Sequence, residues 1–325
     1  MLAGLASANV PVSPKDLLTP RMAALLERIA RANRPGFETM TPADARVAYT
    51  AAAEVLEPPR APLARVEDIT LPGADGAALP ARLYAPSHDA LPVLLYLHGG
   101  GFTVGNLETH DSLCRQLALR SGAAVIALDY RLAPEHRFPV AVDDSFAALR
   151  ALASRDAGAR LGLDTTRIAI GGDSAGGTLS AVCALMARDA GLPLALQVLI
   201  TPGTIAHADT PSHERFAEGF LLQRETVAWF FDNYIAEADR EDWRFAPALA
   251  PDHDGVAPAC IVVAECDALV DECIAYGDIL RAAGVAVDLE IYRGVTHDFI
   301  KMGRMLPEAA QARQAIADAL QKAFE

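Results

Sequence analysis

Residues 168–177 of this 325-residue chain read Ile-Ala-Ile-Gly-Gly-Asp-Ser-Ala-Gly-Gly. β-Branched residues lead here into a Gly-x-Ser-x-Gly turn, and an Ala-rich segment follows at once. In so tight a turn, a Cβ at either flanking position would meet the chain itself, which explains Gly172 and Gly176. The pattern therefore predicts that Ser174 lies in a strained turn between a strand and a helix.

A strand, a sharp turn that carries serine, and a helix together form a nucleophile elbow, which is typical of the α/β-hydrolase fold. The turn lifts the hydroxyl of Ser174 above the carboxyl edge of the sheet and places it at the start of a helix. There the backbone N–H of Ala175 is free to donate to a developing oxyanion. We therefore expect Ser174 to act as a nucleophile.

Composition restricts the class of protein. The formal charge of −14 and the absence of a basic patch argue against nucleic acid or an anionic membrane as partners. No apolar run approaches the roughly 18 residues of a transmembrane helix. A signal peptide begins with basic residues, and this chain has none before Lys15. The five cysteines lack the spacing of a metal site, so we expect free thiols in a cytoplasmic protein.

Short apolar runs alternate with helical segments through most of the chain. Residues 65–70 and 79–84 flank a glycine-containing turn and are predicted to form an antiparallel hairpin. Further strands are predicted at residues 93–97, 124–128, 168–170, 196–200, 261–264 and 287–291. Strands that alternate with helices indicate a mostly parallel central sheet that is flanked by helices on both faces.

One long interval, between the strands at residues 196–200 and 261–264, breaks this alternation. It contains both tryptophans and much of the aromatic content. A connection of this length predicts a helical insertion rather than a turn. We expect three parts: N-terminal helices that contribute to a cap (1–55), an α/β-hydrolase catalytic domain (56–204 and 245–325) and a cap insertion (205–244).

A nucleophilic serine needs a general base and an acid that orients this base, in the chain order serine, acid, histidine. Among the histidines that follow Ser174, only His297 comes after a predicted strand near the chain end. The strand at 261–264 leads into Glu265 and Asp267, which strand alternation places on the same side. Asp267 lies further beyond the sheet edge and is the preferred acid, with Glu265 as the alternative.

A glycine loop directly follows the strand at residues 93–97. It reads His98-Gly99-Gly100-Gly101-Phe102, and its three glycines allow backbone N–H groups to face a substrate oxygen. A phosphate-binding loop is the alternative interpretation. Neither glycine cluster precedes Lys-Ser or Lys-Thr, and Gly-x-Gly-x-x-Gly is absent, so the oxyanion hole is favoured.

Three motifs, in family order, resemble the bacterial hormone-sensitive-lipase family of carboxylesterases, in the branch with Asp before the nucleophile. They are residues 98–102, 129–136 (Asp-Tyr-Arg-Leu-Ala-Pro-Glu-His) and 172–177. The resemblance extends from about Val66 to the C-terminus. It implies that Gly100, Gly101 and Ala175 are oxyanion donors and that Asp267 is the triad acid.

The same resemblance implies that His98 braces the glycine loop and that residues 131–136 form a structural belt beside the site. Two departures from the family pattern stand out. The acid motif, usually Asp-Pro-Leu-Arg-Asp-Glu-Gly, reads Asp-Ala-Leu-Val-Asp-Glu-Cys at residues 267–273, and Asp298 follows His297 where glycine is usual. Both could alter the loop and the pocket for the alcohol part of an ester.

These observations predict a serine carboxylesterase that hydrolyses short- to medium-chain esters through an acyl-enzyme, without metal or cofactor. An amidase or formamidase with the same triad is the alternative. A ligand-binding receptor on this fold would lack the histidine, whereas His297 is present. Phe102, Phe216 and Phe220 are candidates for the acyl pocket, with core packing as the other reading. A homodimer is expected by analogy with the family.

Overall fold

The computed structural model describes residues 13–325, so the first twelve residues of the predicted N-terminal helices lie outside it. In this part of the chain eight strands form one sheet, in the order β1-β2-β4-β3-β5-β6-β7-β8. The strands are β1 Arg65–Pro72, β2 Ala78–Ala85, β3 Pro92–Leu97, β4 Ala124–Leu128, β5 Asp164–Asp173, β6 Leu196–Ile200, β7 Ala259–Ala264 and β8 Val287–Tyr292. β2 pairs antiparallel with β1 and β4, and the other pairs are parallel, which confirms the predicted α/β-hydrolase sheet.

Helices lie on both faces of this sheet. The α-helices of residues 13–325 are α1 Pro20–Ala32, α2 Pro42–Leu56, α3 Asp111–Ser121, α4 Val140–Leu152, α5 Ala157–Leu161, α6 Ala175–Asp189, α7 Pro211–Arg215, α8 Arg224–Tyr234, α9 Val270–Ala282 and α10 Pro307–Ala323. Strand alternation divides the core between the faces. In β3, Leu95 and Leu97 pack with residues of α4, α6 and α9, whereas Leu94 and Tyr96 pack with residues of α3 and α10.

The central strand β5 extends beyond the predicted residues 168–170 at both ends. Toward the site it pairs with β3 as far as Gly172 and with β6 as far as Asp173. Glycine carries no side chain that could mark a strand by apolar periodicity. The apolar pattern therefore predicted a strand that ends at residue 170, before the two glycines. The longer strand carries Ser174 to the edge of the sheet, where the two flanking strands also end.

The N-terminal helices and the insertion between β6 and β7 pack together. The side chain of Thr19 accepts a hydrogen bond from Met22 N and so caps α1. The ring of Phe37, which lies between α1 and α2, contacts Trp229 and Phe230 of α8, with centroids 6.3 and 6.2 Å apart.

Among the helices of residues 13–325, none is long and apolar enough to cross a membrane.

Candidate active site

The turn between β5 and α6 has the geometry that its sequence predicts. Ser174 has φ 53° and ψ −122°, a conformation that L-residues seldom adopt. A Cβ built on Gly172 would lie 2.2 Å from the carbonyl oxygen of Leu97, and one on Gly176 would lie 1.9 Å from the same atom. Larger residues at either position would therefore force the elbow away from β3.

The structure brings Ser174, His297 and Asp267 into one hydrogen-bonded chain. His297 Nε2 lies 2.9 Å from Ser174 Oγ, and His297 Nδ1 lies 2.7 Å from Asp267 Oδ2. His297 is 6% exposed and Asp267 is 1% exposed, so little water competes for these bonds. A base is thus in contact with the hydroxyl, and a carboxylate fixes the other nitrogen of the ring.

Glu265, the alternative acid, has a different partner. Its Oε2 accepts a hydrogen bond of 2.8 Å from the backbone N–H of Gly294, in the loop that leads to His297. β7 ends at Ala264, so Glu265 and Asp267 both lie in the turn beyond it, where strand alternation no longer orders side chains. Glu265 holds the histidine loop, whereas Asp267 contacts the histidine itself.

Electrostatics favour the protonated form of His297. Burial alone would lower the pKa of this imidazole, but the charge of Asp267 and its hydrogen bond raise the pKa above the usual value. Asp298 and Asp173 act in the same direction. The site therefore stabilises the imidazolium that forms when the ring accepts a proton from serine.

The glycine loop presents free backbone donors beside Ser174. Gly100 and Gly101 have φ values of 118° and 56°, and both line the same cavity as Ser174. Within residues 13–325 their N–H groups donate to no backbone acceptor. Ala175 opens α6, where the first-turn N–H groups also lack helical partners. This arrangement can bind an oxyanion.

A buried carboxylate supports that loop from below. Asp173 Oδ1 accepts hydrogen bonds from Tyr96 Oη (2.6 Å) and Gly99 N (3.1 Å), and its Oδ2 lies 3.2 Å from His110 Nε2. Burial would raise the pKa of Asp173, but the hydrogen bonds and the imidazole of His110 hold it well below the usual range. The motif residue before the nucleophile thus braces the glycine loop, and sequence reasoning did not identify Tyr96 or His110 as its partners.

His98 and Tyr130 fix the other side of the loop. The two rings stack with centroids 4.4 Å apart, and Tyr130 Oη donates to the carbonyl oxygen of His98 (2.7 Å). His98 Nδ1 lies 2.8 Å from the carbonyl oxygen of Gly99. The ring of His98 is therefore held within the loop, in the place that the family resemblance implies.

Arg46 of α2 connects the N-terminal helices to this region. Its Nε donates to the carbonyl oxygen of Thr103 (2.9 Å), and its Nη2 donates to that of Ala133 (2.7 Å). The same guanidinium binds the carboxylate of Glu135, with a shortest distance of 2.6 Å. One side chain thus joins α2 to the residues that follow the glycine loop and to the belt at 131–136.

A cavity of about 710 Å³ opens above Ser174 and His297, with mostly apolar walls from α1, α2, α8 and the glycine loop. Phe102 and Phe220 line it. Phe216 does not, and its expected place in the pocket is corrected. It is 2% exposed and packs edge-on against Phe220, with centroids 4.9 Å apart. Phe230 of α8 lines the cavity instead, next to Gly101.

The chain is similar to known proteins. A family model described as the alpha/beta hydrolase fold matches residues 94–301. The chain is 44% identical over 265 residues to an ethyl acetate hydrolase from Pseudomonas putida, covering 79% of this chain and 82% of the relative. It is 41% identical over 296 residues to the carboxylesterase NlhH from Mycobacterium tuberculosis, covering 88% and 92%.

Solved structures of α/β-hydrolases are also similar to this chain. A crystal structure of an α/β-hydrolase enzyme from the metagenome of Lake Arreo, Spain, has a TM-score of 0.90 and 39% identity, covering 95% of this chain and 99% of that one. The esterase from Pyrobaculum calidifontis has a TM-score of 0.88 and 37% identity, covering 94% and 98%. Fold and site define an α/β-hydrolase with a serine nucleophile elbow. The chain belongs to the hormone-sensitive-lipase-like family of this fold and is a carboxylic-ester hydrolase.

Proposed function

We propose that the protein hydrolyses short- to medium-chain carboxylic esters through an acyl-enzyme on Ser174. The hydroxyl oxygen of Ser174 attacks the ester carbonyl carbon while His297 Nε2 takes its proton. Asp267 holds the imidazole in the required tautomer and offsets the charge of the imidazolium. The N–H groups of Gly100, Gly101 and Ala175 bind the oxyanion of the tetrahedral intermediate.

The intermediate collapses when the bond from the carbonyl carbon to the alcohol oxygen breaks, and His297 gives its proton to the departing alcohol. Water then attacks the acyl-enzyme while His297 accepts a proton from this water. When the second intermediate collapses, the bond to Ser174 Oγ breaks, His297 returns the proton to this oxygen, and the acid and free Ser174 are released. The observation that carries this proposal is the continuous contact from Ser174 through His297 to Asp267.

The cavity supports a limit on substrate size. We assign the covering of the site to residues 205–244 together with the N-terminal helices, because side chains from both line the cavity. A bounded apolar pocket gains roughly 0.8 kcal/mol for each methylene it buries, until it is full. The optimum acyl length is therefore about four to eight carbons, with little activity on emulsified long-chain triglyceride.

Replacement of the nucleophile tests the mechanism. Ser174→Ala leaves the fold intact and lowers kcat for nitrophenyl butanoate by about 10⁶-fold, as in other serine hydrolases. Ser154→Ala, at an exposed serine, is the control and keeps full activity. Mass spectrometry after treatment with an organophosphate should find the label on Ser174. A Ser174→Ala protein with a tenth of the original activity would overturn the mechanism.

A cytoplasmic location is the final part of the proposal. All five cysteines are free and buried, which suits a reducing compartment; they are Cys114, Cys183, Cys260, Cys266 and Cys273. Fractionation of cells that express the protein, with activity measured in each fraction, tests this location. Recovery of the activity outside the cytoplasmic fraction would contradict it.

A further inference from the structure

A polar cluster interrupts the apolar wall of the cavity next to His297. It consists of Tyr49 from α2 and of Asp298 and Lys301 from the loop that follows His297, and all three line the cavity. Lys301 Nζ donates a hydrogen bond of 2.5 Å to the hydroxyl of Tyr49 and lies 4.5 Å from the centre of its ring. Lys301 is 7% exposed, so its ammonium has few water contacts.

The charged groups of this cluster are not fully hydrogen-bonded to each other. Asp298 Oδ2 lies 3.7 Å from Lys301 Nζ, too far for a hydrogen bond. Among residues 13–325, no side chain or backbone N–H donates to the Asp298 carboxylate. An ammonium has three donors, and Tyr49 takes only one of those of Lys301. A donor and an acceptor therefore remain side by side at the cavity wall.

The ammonium charge of Lys301 persists at neutral pH. Burial alone would lower the pKa of Lys301, but Asp298 and other nearby groups raise it above the usual value. Asp298 has φ 62°, the left-handed region in which glycine is usual and which aspartate tolerates better than most residues. The residue that departs from the family motif thus fits the backbone and adds a carboxylate to the cavity.

The cluster lies in the same cavity as His297, the residue that protonates the departing alcohol. His297 Nε2 must reach the departing alcohol oxygen to protonate it, so the alcohol group extends along the His297 loop. Asp298 is the next residue of that loop, and Lys301 follows it by three positions. These two side chains therefore lie beside the residue that contacts the alcohol oxygen.

We propose that Asp298, Lys301 and Tyr49 form a subsite for esters whose alcohol part carries a second hydroxyl group. This hydroxyl accepts a hydrogen bond from Lys301 Nζ and donates one to Asp298 Oδ2, and so bridges the two charges from the side of the cavity. An alkyl group in the same position leaves the Asp298 carboxylate and the remaining donors of Lys301 without a partner. The inference rests on the proposed function, because it requires ester cleavage at Ser174.

Two esters of equal size test the subsite. 2-Hydroxyethyl butanoate and propyl butanoate share the acyl group and the number of non-hydrogen atoms, and they differ by one hydroxyl. The ratio of their kcat/KM values, measured by titration of released acid, isolates recognition of that hydroxyl. We expect Lys301→Met and Asp298→Gly each to lower this ratio about tenfold, as for loss of a charged hydrogen bond.

Controls separate this inference from the proposed function. Asp298→Gly restores a residue that favours φ 62°, so it tests the subsite even where Lys301→Met lowers stability. Lys322→Met makes the same change at an exposed lysine of α10 and keeps the wild-type ratio. Hydrolysis of both esters with an unchanged ratio in both subsite variants overturns the inference alone. Failure of the wild-type protein to hydrolyse either ester overturns the proposed function.

Discussion

Asp267 and Glu265 lie two residues apart in one turn, yet their carboxylates bind different groups. Asp267 contacts the imidazole of His297, whereas Glu265 contacts the backbone N–H of Gly294. A neutral amide can replace the second contact, because glutamine keeps an acceptor oxygen. It cannot replace the first, since asparagine does not fix the tautomer or offset the imidazolium charge.

We therefore expect Asp267→Asn to lower kcat by about 10⁴-fold, as the same change does in other triads. Glu265→Gln is the matched variant and should lower kcat less than about tenfold, because it disturbs only a loop contact. Steady-state kinetics with nitrophenyl butanoate measure both. Equal losses in the two variants, or a larger loss in Glu265→Gln, would assign the acid to Glu265.

The pKa of His297 determines how activity depends on pH. Only the neutral imidazole accepts the serine proton, so kcat/KM falls as pH drops through this pKa. Because the contact with Asp267 raises the pKa, the decline should be centred above the ordinary histidine value of about 6.5. In Asp267→Asn the raising charge is gone while burial remains, so the decline moves to lower pH.

Residual activity of Asp267→Asn between pH 5 and 10, compared with that of the wild type and Glu265→Gln, checks this shift. Glu265 is not among the groups that raise the pKa of His297, so its variant should keep the wild-type profile. An unchanged profile in Asp267→Asn would show that Asp267 does not set the protonation of the base.

At the scale of the secondary-structure elements, helix α8 limits the size of the cavity through Phe230. This ring lies so close to the glycine loop that a Cβ on Gly101 would come within 2.1 Å of it. Phe37 packs on the other side, with a centroid distance of 6.2 Å. α8 is therefore fixed against both the catalytic loop and the N-terminal segment, and its side chains define the wall.

Phe230→Ala should lengthen the preferred acyl chain, because removal of the ring opens space at this wall. Nitrophenyl esters with acyl chains of two to sixteen carbons measure the change as a shift in the kcat/KM optimum toward longer chains. Phe138→Ala is the control, since Phe138 packs against Tyr234 and does not line the cavity. An optimum that stays in place in Phe230→Ala would show that another element limits chain length.

The elements that carry their own local signal could be predicted from the sequence. The Gly-x-Ser-x-Gly pattern marks the elbow within five residues, and His297 follows a recognisable strand. Contacts between distant segments could not be predicted in this way. Tyr96 and His110 lie 77 and 63 positions from Asp173, and nothing in their local sequence marks them as its partners.

The direction in which a side chain points was the second feature that could not be predicted from the sequence. Phe216 and Phe220 lie in one aromatic-rich stretch, and the sequence cannot tell which ring faces the cavity and which supports it. The structure separates them because Phe216 packs behind Phe220. The choice between Glu265 and Asp267 had the same difficulty, since a turn has no fixed period that orients side chains.

At the scale of the whole molecule, three parts of the chain meet around the site. α2 supplies Arg46, which binds backbone carbonyl groups of Thr103 and Ala133 as well as the carboxylate of Glu135. These partners stand immediately beyond the glycine loop and within the belt. Docking of the N-terminal helices is thus coupled to the geometry of the oxyanion site.

Arg46→Met should separate loss of activity from loss of structure. Without the guanidinium, α2 detaches from the glycine loop at a lower temperature, while the sheet and its flanking helices remain folded. Activity after heating should decline several degrees before the circular dichroism signal, since each kcal/mol corresponds to about 2–4 °C in a chain of this size. Arg31→Met, at an exposed arginine of α1, is the control. Coincident curves for Arg46→Met would contradict this coupling.

The span of the Arg46 contacts also bears on the order in which the protein is assembled. Arg46 emerges from the ribosome 57 residues before Thr103 and 89 residues before Glu135. α2 therefore cannot dock until these later residues of the sheet region have been synthesised. His297 arrives later still, and the backbone N–H of Thr19 then bonds to the carbonyl oxygen of Gly294 in its loop. Segments that are synthesised early and late thus converge on one reaction centre. Turnover therefore begins only after the chain has been synthesised past His297.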